Sequence, residues 1–494
     1  MKKQTLQYFL VTTMILSFTF SGCEKFLEKN PQGVLTQATF PVSASDALLA
    51  TNAAYTTLRN GGFNSGTFPI MDIMSDDARK GSNPGDGAST VGLYDNFTFT
   101  PTGGELSAWW AALYEGIKRT NVVIMKVPDI AMDETLRNRY IGEAKFLRGL
   151  YYFDMVRAWG DVPLVSDLTP SLTLPRTPKD EVYAQIISDL LFAIDNLTER
   201  DDPSLDAGRA TKGAARGMLA KIYLFRGDFI NAEKYAMDVI SSLKYDLEPK
   251  FIDANGVAGE HGIESVFEVG AIGAESESGN QFANVQGVRG APNRGWGFNR
   301  PSIDLRNSFE PGDPRIKGTI IDLQDTIDGV IILGDGGTLD ITMDELGNII
   351  ETECYNRKVW TPGVDVPSQF GHNRRLLRYA DVLLIAAEAL NENNNQTDAL
   401  LYLEKVRERA REGNTAILPE IAEMDKNALR VLILTERRHE LALEGHRFWD
   451  LVRTGKVAEV LGTKGFKSGQ HELFPVPQTE IDLSQGSLSQ NPNW

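Results

Sequence analysis

Cysteine is close to absent from this chain, which has only Cys23 and Cys354. Two thiols cannot build a disulfide scaffold, so the fold must rest on a buried apolar core. Basic residues are also scarce. Fifty Lys and Arg stand against 67 Asp and Glu, a formal net charge of −17. Phosphates and anionic headgroups are bound by clustered cations, so this balance argues against nucleic acid and against charge-driven adsorption to a membrane. Beyond the N-terminus no apolar run reaches the 18 or so residues of a membrane-spanning helix. Catalytic signatures are missing too: there is no Gly-x-Ser-x-Gly, no P-loop and no His-Glu-x-x-His. His439-Glu440 with His446 looks superficially like a metal pair, but seven residues are two helical turns, about 10 Å along the axis. Side chains that far apart cannot share one zinc. The simpler expectation is a charged helix with Glu436, Glu440, Glu444, Arg437 and Arg447 in structural ion pairs. What the chain does have is apolar residues, 42% of 494, too many for a disordered polymer.

Lys2 and Lys3 precede an apolar run of 13 residues, Tyr8 to Phe20. That is too short to cross about 30 Å of hydrocarbon and fits the central region of a signal peptide. Phe20-Ser21-Gly22-Cys23 then places small residues directly before a cysteine. The arrangement resembles the bacterial lipobox, in which the cysteine is diacylated and becomes the first residue of the mature chain. Residues 1–22 are therefore expected to be a lipoprotein signal peptide, Cys23 the lipidation site, and 23–41 a lipidated tether. Cleavage removes two lysines and no acid, taking the formal charge from −17 to −19. Cys354 is then the only remaining thiol. Each acyl methylene buried in a bilayer contributes about 0.8 kcal/mol, so the anchor does what charge does not.

The rest of the chain reads as mainly helical. Ser43-x-Ser45-Asp46 caps an Ala/Leu-rich helix, and residues 61–104 are rich in Gly, Ser, Asn and Asp. Helical pattern returns over 105–127, where Trp109, Leu113, Ile117, Val123 and Ile124 share a stripe, and over 133–158. The stretch 212–242 is close to the tetratricopeptide pattern: Ala220 and Ala232 sit where paired helices approach, and Gly227 makes the turn. A weaker unit follows over 376–411, and a last helix is expected over about 426–453. Residues 251–375 differ, holding 19 of the 45 glycines and short β-like runs such as Ser265–Val269 and Gly329–Leu333. The expectation is a helical platform with tetratricopeptide-like pairs near 105–158, 180–243 and 376–411, and an irregular, short-strand subdomain inserted at 251–375.

Five blocks together resemble the SusD/RagB family of nutrient-binding outer-membrane lipoproteins of Bacteroidetes. The most distinctive is Glu143 to Val165, with Tyr151-Tyr152-Phe153-Asp154-Met155-Val156-Arg157-Ala158-Trp159-Gly160-Asp161 inside it. The others are Trp296-Gly297-Phe298-Asn299 with Asp313-Pro314-Arg315, then Leu377 to Leu384, then Glu436 to Leu451, then Leu473 to Gln478 with Gln490-Asn491-Pro492. The resemblance spans the chain from the lipobox to the C-terminus. It implies a SusD-like fold over 42–494 with four tetratricopeptide units and a more variable ligand face. It also implies a partner, a TonB-dependent (SusC-like) outer-membrane barrel, and an external location. The implied ligand is an oligosaccharide, or a peptide in some relatives, bound without catalysis, metal or cofactor.

A sugar binder needs a flat apolar ring with Asn, Asp, Arg or Gln beside it. Two loop stretches offer that mixture. One runs from Asp76 and Arg79 to Tyr94 and Asn96; the other holds Trp296, Phe298 and Asn299, with Tyr355, Trp360 and Phe370 further on. The acidic residues of 325–344 read as a hairpin turn at Asp344–Asn348 rather than a calcium site. A surface glycoside hydrolase, with two carboxylates about 5–9 Å apart, has no positive support in the sequence. A bare tetratricopeptide scaffold leaves the 251–375 region without a role.

Overall fold

The computed structural model describes residues 40–64, 68–273, 280–363 and 371–494. The expected signal peptide, Cys23, the tether up to residue 39, and Phe370 lie outside the described residues.

Ser43 opens helix α1 (Ala44–Thr56) with a reciprocal capping box. Its Oγ accepts from Asp46 N at 3.2 Å, and the Asp46 carboxylate accepts from Ser43 N at 3.0 Å. The platform continues through α2 (Gly104–Lys126), α3 (Glu134–Trp159), α4 (Lys179–Asn196), α5 (Lys212–Arg226) and α6 (Phe229–Ile240). It resumes with α7 (Tyr379–Glu392), α8 (Gln396–Arg411), α9 (Lys426–Leu441) and α10 (Arg447–Arg453). Helices α2 and α3, α3 and α4, α5 and α6, and α7 and α8 pack as neighbouring pairs. Small residues set these approaches. A Cβ on Gly116 of α2 would lie 2.5 Å from the Tyr151 ring of α3. Gly227, at φ +71°, takes the left-handed turn between α5 and α6, and Asp228 caps α6 by accepting from Asn231 N at 3.1 Å. Helix α6 packs directly on α7, so the helices before and after residues 251–375 form one continuous stack.

Short antiparallel strand pairs carry the other face. They are β1 (Ala78–Gly81) with β3 (Phe298–Pro301), β2 (Ser265–Val269) with β10 (Arg374–Arg378), and β4 (Ile320–Asp322) with β9 (Cys354–Asn356). Two hairpins complete the set: β5 (Thr326–Ile327) with β6 (Val330–Ile331), and β7 (Ile341–Met343) with β8 (Ile349–Thr352). Asp344 closes the second hairpin by accepting from Leu346 N and Asn348 N. The β2/β10 pair belongs to the main core: Val266, Phe267, Val269 and Leu377 are buried there, and Phe267 meets Phe146 edge-on at 4.7 Å. A smaller core of Val288, Ile321, Ile327, Ile332, Tyr355 and Trp360 supports the loops.

The single helix expected over 426–453 is broken in two. Ala442 to His446 form a turn in which Leu443 (φ +61°) and Gly445 (φ +78°) leave helical space, and Gly445 N donates to Asp72 Oδ1 at 2.9 Å. The turn serves a buried ionic network that ties the strand face to the platform. Glu444 accepts from Arg378 Nε and Nη2, both at 2.8 Å, and from Lys358 Nζ at 2.6 Å. Arg437 reaches Asp381 at 2.8 Å and Asp450 at 3.2 Å, and Arg315 pairs with Asp313 at 2.8 Å and with Glu436. The charged helix is thus held in ion pairs, as its sequence indicates. The C-terminal tail is irregular but fixed: Phe474 and Val476 are buried, and Trp159 Nε1 donates to Pro475 O at 2.9 Å. Among the described residues no helix is long and apolar enough to cross a membrane.

Candidate ligand-binding site

Pairing of β1 with β3 brings together the two loop stretches singled out in the sequence, with Gly81 opposite Phe298 and Arg79 opposite Arg300. Gly81 has φ +71°, and a Cβ there would sit 2.4 Å from Gly297 O, so only glycine allows this approach. Lys80 Nζ then gathers the carbonyls of Gly81, Asn83 and Asp86 at 2.7, 2.8 and 2.8 Å, folding the 82–87 loop back on itself. A third segment joins through an isolated bridge: Ala291 N donates to Gly334 O at 2.8 Å and Leu333 N to Ala291 O at 2.7 Å. The three segments enclose an open cleft of about 590 Å³. Its lining includes Ser82, Asn83, Asp86, Arg289, Asn293, Trp296, Phe298 and Asp335.

Trp296 is the one exposed tryptophan of seven, with 43% of its surface open; the others are buried or half-buried. Its backbone explains why. Trp296 N donates to Asn284 O at 2.8 Å, and a Cβ on Gly295 would lie 2.2 Å from that carbonyl. The loop backbone is therefore pressed inward, and the indole is left outside. Phe298 stands beside it, half-buried, with Lys80 Nζ 5.7 Å from its ring centre. The rest of the lining is a polar wall. Arg289 donates to Ser82 Oγ at 2.7 Å and pairs with Asp86 and, at 3.3 Å, with Asp335. Asn83, its amide nitrogen turned toward Asp335, donates to Oδ2 at 3.0 Å and accepts from Arg289 Nη2 at 2.7 Å. Hydrogen bonds from Arg289 and Ser82 hold the Asp86 carboxyl below its ordinary range. Burial pushes Asp335 up, but the N–H groups of Thr338 and Gly337 outweigh it and hold that carboxyl low as well. A ring beside fixed hydrogen-bonding groups suits a sugar, whose C–H face lies on the indole while its hydroxyls meet the wall.

Trp296 and Phe298 are the sequence candidates that the cleft gathers. Asn299 is fully buried beneath it at φ +56°, donating to Gln286 Oε1 at 2.8 Å and Asp72 Oδ2 at 3.0 Å, so it holds the loop from below. Trp360 is buried in the small core and donates Nε1 to Asp328 at 2.7 Å. Tyr94 is fully buried, stacked on Phe99 at 4.7 Å. Asp76 is clamped by Arg447 at 2.8 Å and Arg438 at 3.0 Å. These four frame the site and do not line it. Arg79 turns to Asp95 at 3.5 Å, and Asn96 is exposed outside the cleft lining, accepting from Thr98 Oγ1 at 2.6 Å. The sequence reading missed Asn83, Asp86, Arg289 and Asp335. Gly290 and Gly334, both at positive φ and in mutual contact, bring the third segment in, an approach that only the fold reveals.

Residues 263–494 match the model of the SusD family, and residues 26–224 match that of starch-binding proteins associating with the outer membrane. SusD-like protein P2 of Formosa agariphila is 30% identical over an alignment covering 99% of this chain and 100% of that protein. The chain belongs to the SusD family. A SusD-like protein of Bacteroides ovatus is 28% identical, with 90% of this chain and 81% of that protein covered. Among solved structures, a laminarin-binding SusD-like protein is 30% identical with a TM-score of 0.77, covering 92% of this chain and 100% of its own. Surface glycan-binding protein A of Bacteroides thetaiotaomicron, in complex with laminarihexaose, is 26% identical with a TM-score of 0.77, covering 91% and 100%. The SusD fold is thus the helical platform with its short-strand loop face described above.

Proposed function

We propose that this SusD-family protein binds an oligosaccharide at the cell surface, in the Trp296 cleft, and passes it without catalysis to a TonB-dependent outer-membrane barrel. The observation that carries the reading is the single exposed indole, set by a glycine-rich backbone against the Asp86–Arg289–Asp335 wall. The glycan-binding relatives, one with laminarihexaose bound, support a carbohydrate over a peptide. Acylation at Cys23 would hold the platform at the outer face of the outer membrane, 17 residues of chain before Phe40.

Affinity electrophoresis of the mature protein through gels containing laminarin and other polysaccharides, with short peptides tested in parallel, examines the reading. Retardation by at least one glycan is expected. Trp296→Ala is expected to weaken that binding by about 5- to 30-fold, the 1–2 kcal/mol of a lost aromatic contact. Peptide binding without glycan binding refutes the carbohydrate assignment, and release of reducing ends from a bound glycan refutes the non-catalytic one.

A further inference from the structure

We infer that the ligand of this cleft is an uncharged oligosaccharide, free of carboxylate and sulfate, and that the Asp86–Arg289–Asp335 clamp sets this selection. The inference rests on the glycan reading above and narrows it to a class.

Among the described residues three charged side chains line the cleft, one cation and two carboxylates. The cation is spent. Arg289 is engaged by Ser82, Asp86, Asp335 and Asn83 together, so each of its three guanidinium nitrogens already has a partner. Swinging it out to meet an anion would leave two carboxylates facing each other at the wall, which breaking an ion pair in a partly buried setting penalises. The cations behind the wall are also committed. Lys80 is bound by three carbonyls, and Arg300 donates to Ser82 O at 3.2 Å and to Glu351 at 2.9 Å.

The carboxylates are the reverse case. Both are held ionised, but they differ in reach. Asp335, 7% exposed, is filled by Gly337, Thr338, Asn83 and Arg289, whereas Asp86 has 46% of its side chain exposed and takes Ser82 and Arg289 on Oδ2, leaving Oδ1 toward the cleft. A carboxylate accepts hydrogen bonds and cannot donate them. What the charged part of the wall offers an incoming ligand is therefore an open acceptor at Asp86, which matches hydroxyl donors. A sulfate or uronate brings only further acceptors and a like charge, into a protein whose formal charge is already −17. The indole favours neither class, so the clamp decides between them.

The test uses the full mature protein and matched pairs of ligand, so that the sugar backbone is constant within each pair. Laminarin and laminarin sulfate form one pair, dextran and dextran sulfate another, with polygalacturonate as a carboxylated probe; affinities are read by calorimetry in 20 mM and 500 mM NaCl. The neutral member of any pair that binds is expected to bind at least tenfold tighter than its sulfated partner at 20 mM, with less than a twofold change between the two salt concentrations. In Asp86→Asn the ratio of sulfated to neutral affinity is expected to rise at least fivefold. Asp335→Asn, read the same way, guards against local misfolding of either variant. Equal or tighter binding of a sulfated or carboxylated glycan overturns the inference and leaves the glycan reading standing. An unchanged ratio in both variants removes the clamp from the explanation. Absence of binding by every neutral and charged glycan brings down the glycan reading itself, and this inference with it.

Discussion

Glu444→Gln is expected to destabilise the protein by about 3 kcal/mol. The carboxylate is 8% exposed and lies between two buried cations, receiving Arg378 through two hydrogen bonds, Lys358 through one, and Asn255 at 3.2 Å. Removing one partner of such a group leaves uncompensated charge in low dielectric, which costs about 3–5 kcal/mol. The lower end applies because Arg378 keeps Glu440 at 3.1 Å and Glu264, while Lys358 keeps the Glu440 carbonyl at 2.9 Å and the Phe251 ring at 5.0 Å. Urea unfolding at pH 7.5, read as the change in midpoint at constant slope, measures the loss. Glu459→Gln, in an exposed pair with Lys456, is the control and should stay within about 0.5 kcal/mol. Burial pushes the Glu444 carboxyl up, but Arg378 and Lys358 pull it well below the ordinary range. A depressed acid stabilises the fold above its unfolded value and loses that contribution as pH falls toward the folded one. The gap between wild type and Glu444→Gln should therefore be full at pH 7.5 and 5.5 and begin to close below about 4.5. Glu444→Leu combined with Lys358→Met removes one charge of each sign and should recover at least half of the loss. A penalty under 1 kcal/mol at pH 7.5, or one that widens on acidification, refutes the argument.

Two further outcomes follow from packing and burial. Gly116→Ala places a methyl 2.5 Å from the Tyr151 ring, whose hydroxyl is fixed on Ala54 O at 2.9 Å; overpacking of about 2–3 kcal/mol outweighs the ~1 kcal/mol gained in helix propensity. Thermal unfolding should fall for this variant and hold or rise for Gly104→Ala, where a Cβ meets nothing within 4 Å; a stabilised Gly116→Ala refutes the close approach. Burial pushes the Cys354 thiol up to about 11, so it should resist a thiol-specific disulfide reagent at pH 7.5 in the folded protein and react once denatured. With Cys23 acylated, the denatured mature protein should yield one thiol per chain; two would refute acylation.

The parts of the fold that were legible in the sequence are those fixed within a few residues. The α1 capping box is written in Ser43 and Asp46, and the α5–α6 hairpin in Ala220, Gly227 and Ala232, because each contact is made inside the segment that encodes it. The site is different in kind. Trp296 and Trp360 both read as aromatics among polar neighbours, and what separates them is remote: Asp328 draws one indole into the small core, while the Asn284 carbonyl presses the other's backbone inward and leaves its ring outside. Tyr94 and Asn299 were equally ambiguous until Phe99 and Asp72 were placed beside them. The polar wall was invisible for the same reason, since residues 82–87, 289–297 and 335 meet only when β1 has paired with β3 and Ala291 with Gly334. Even the acidic helix shows the limit. Its ion pairing could be read from Glu436, Glu440 and Glu444, but the partners that decide its energetics, Lys358 and Arg378, come from the strand face. The loop beneath the cleft is linked to the same turn by Asp72, which accepts from Asn299 Nδ2 and from Gly445 N, next to Glu444. The candidate cleft and the helices therefore share the Ala442–His446 turn as a support, which is why a substitution at Glu444 is expected to loosen the loop beneath the cleft as well as the helices.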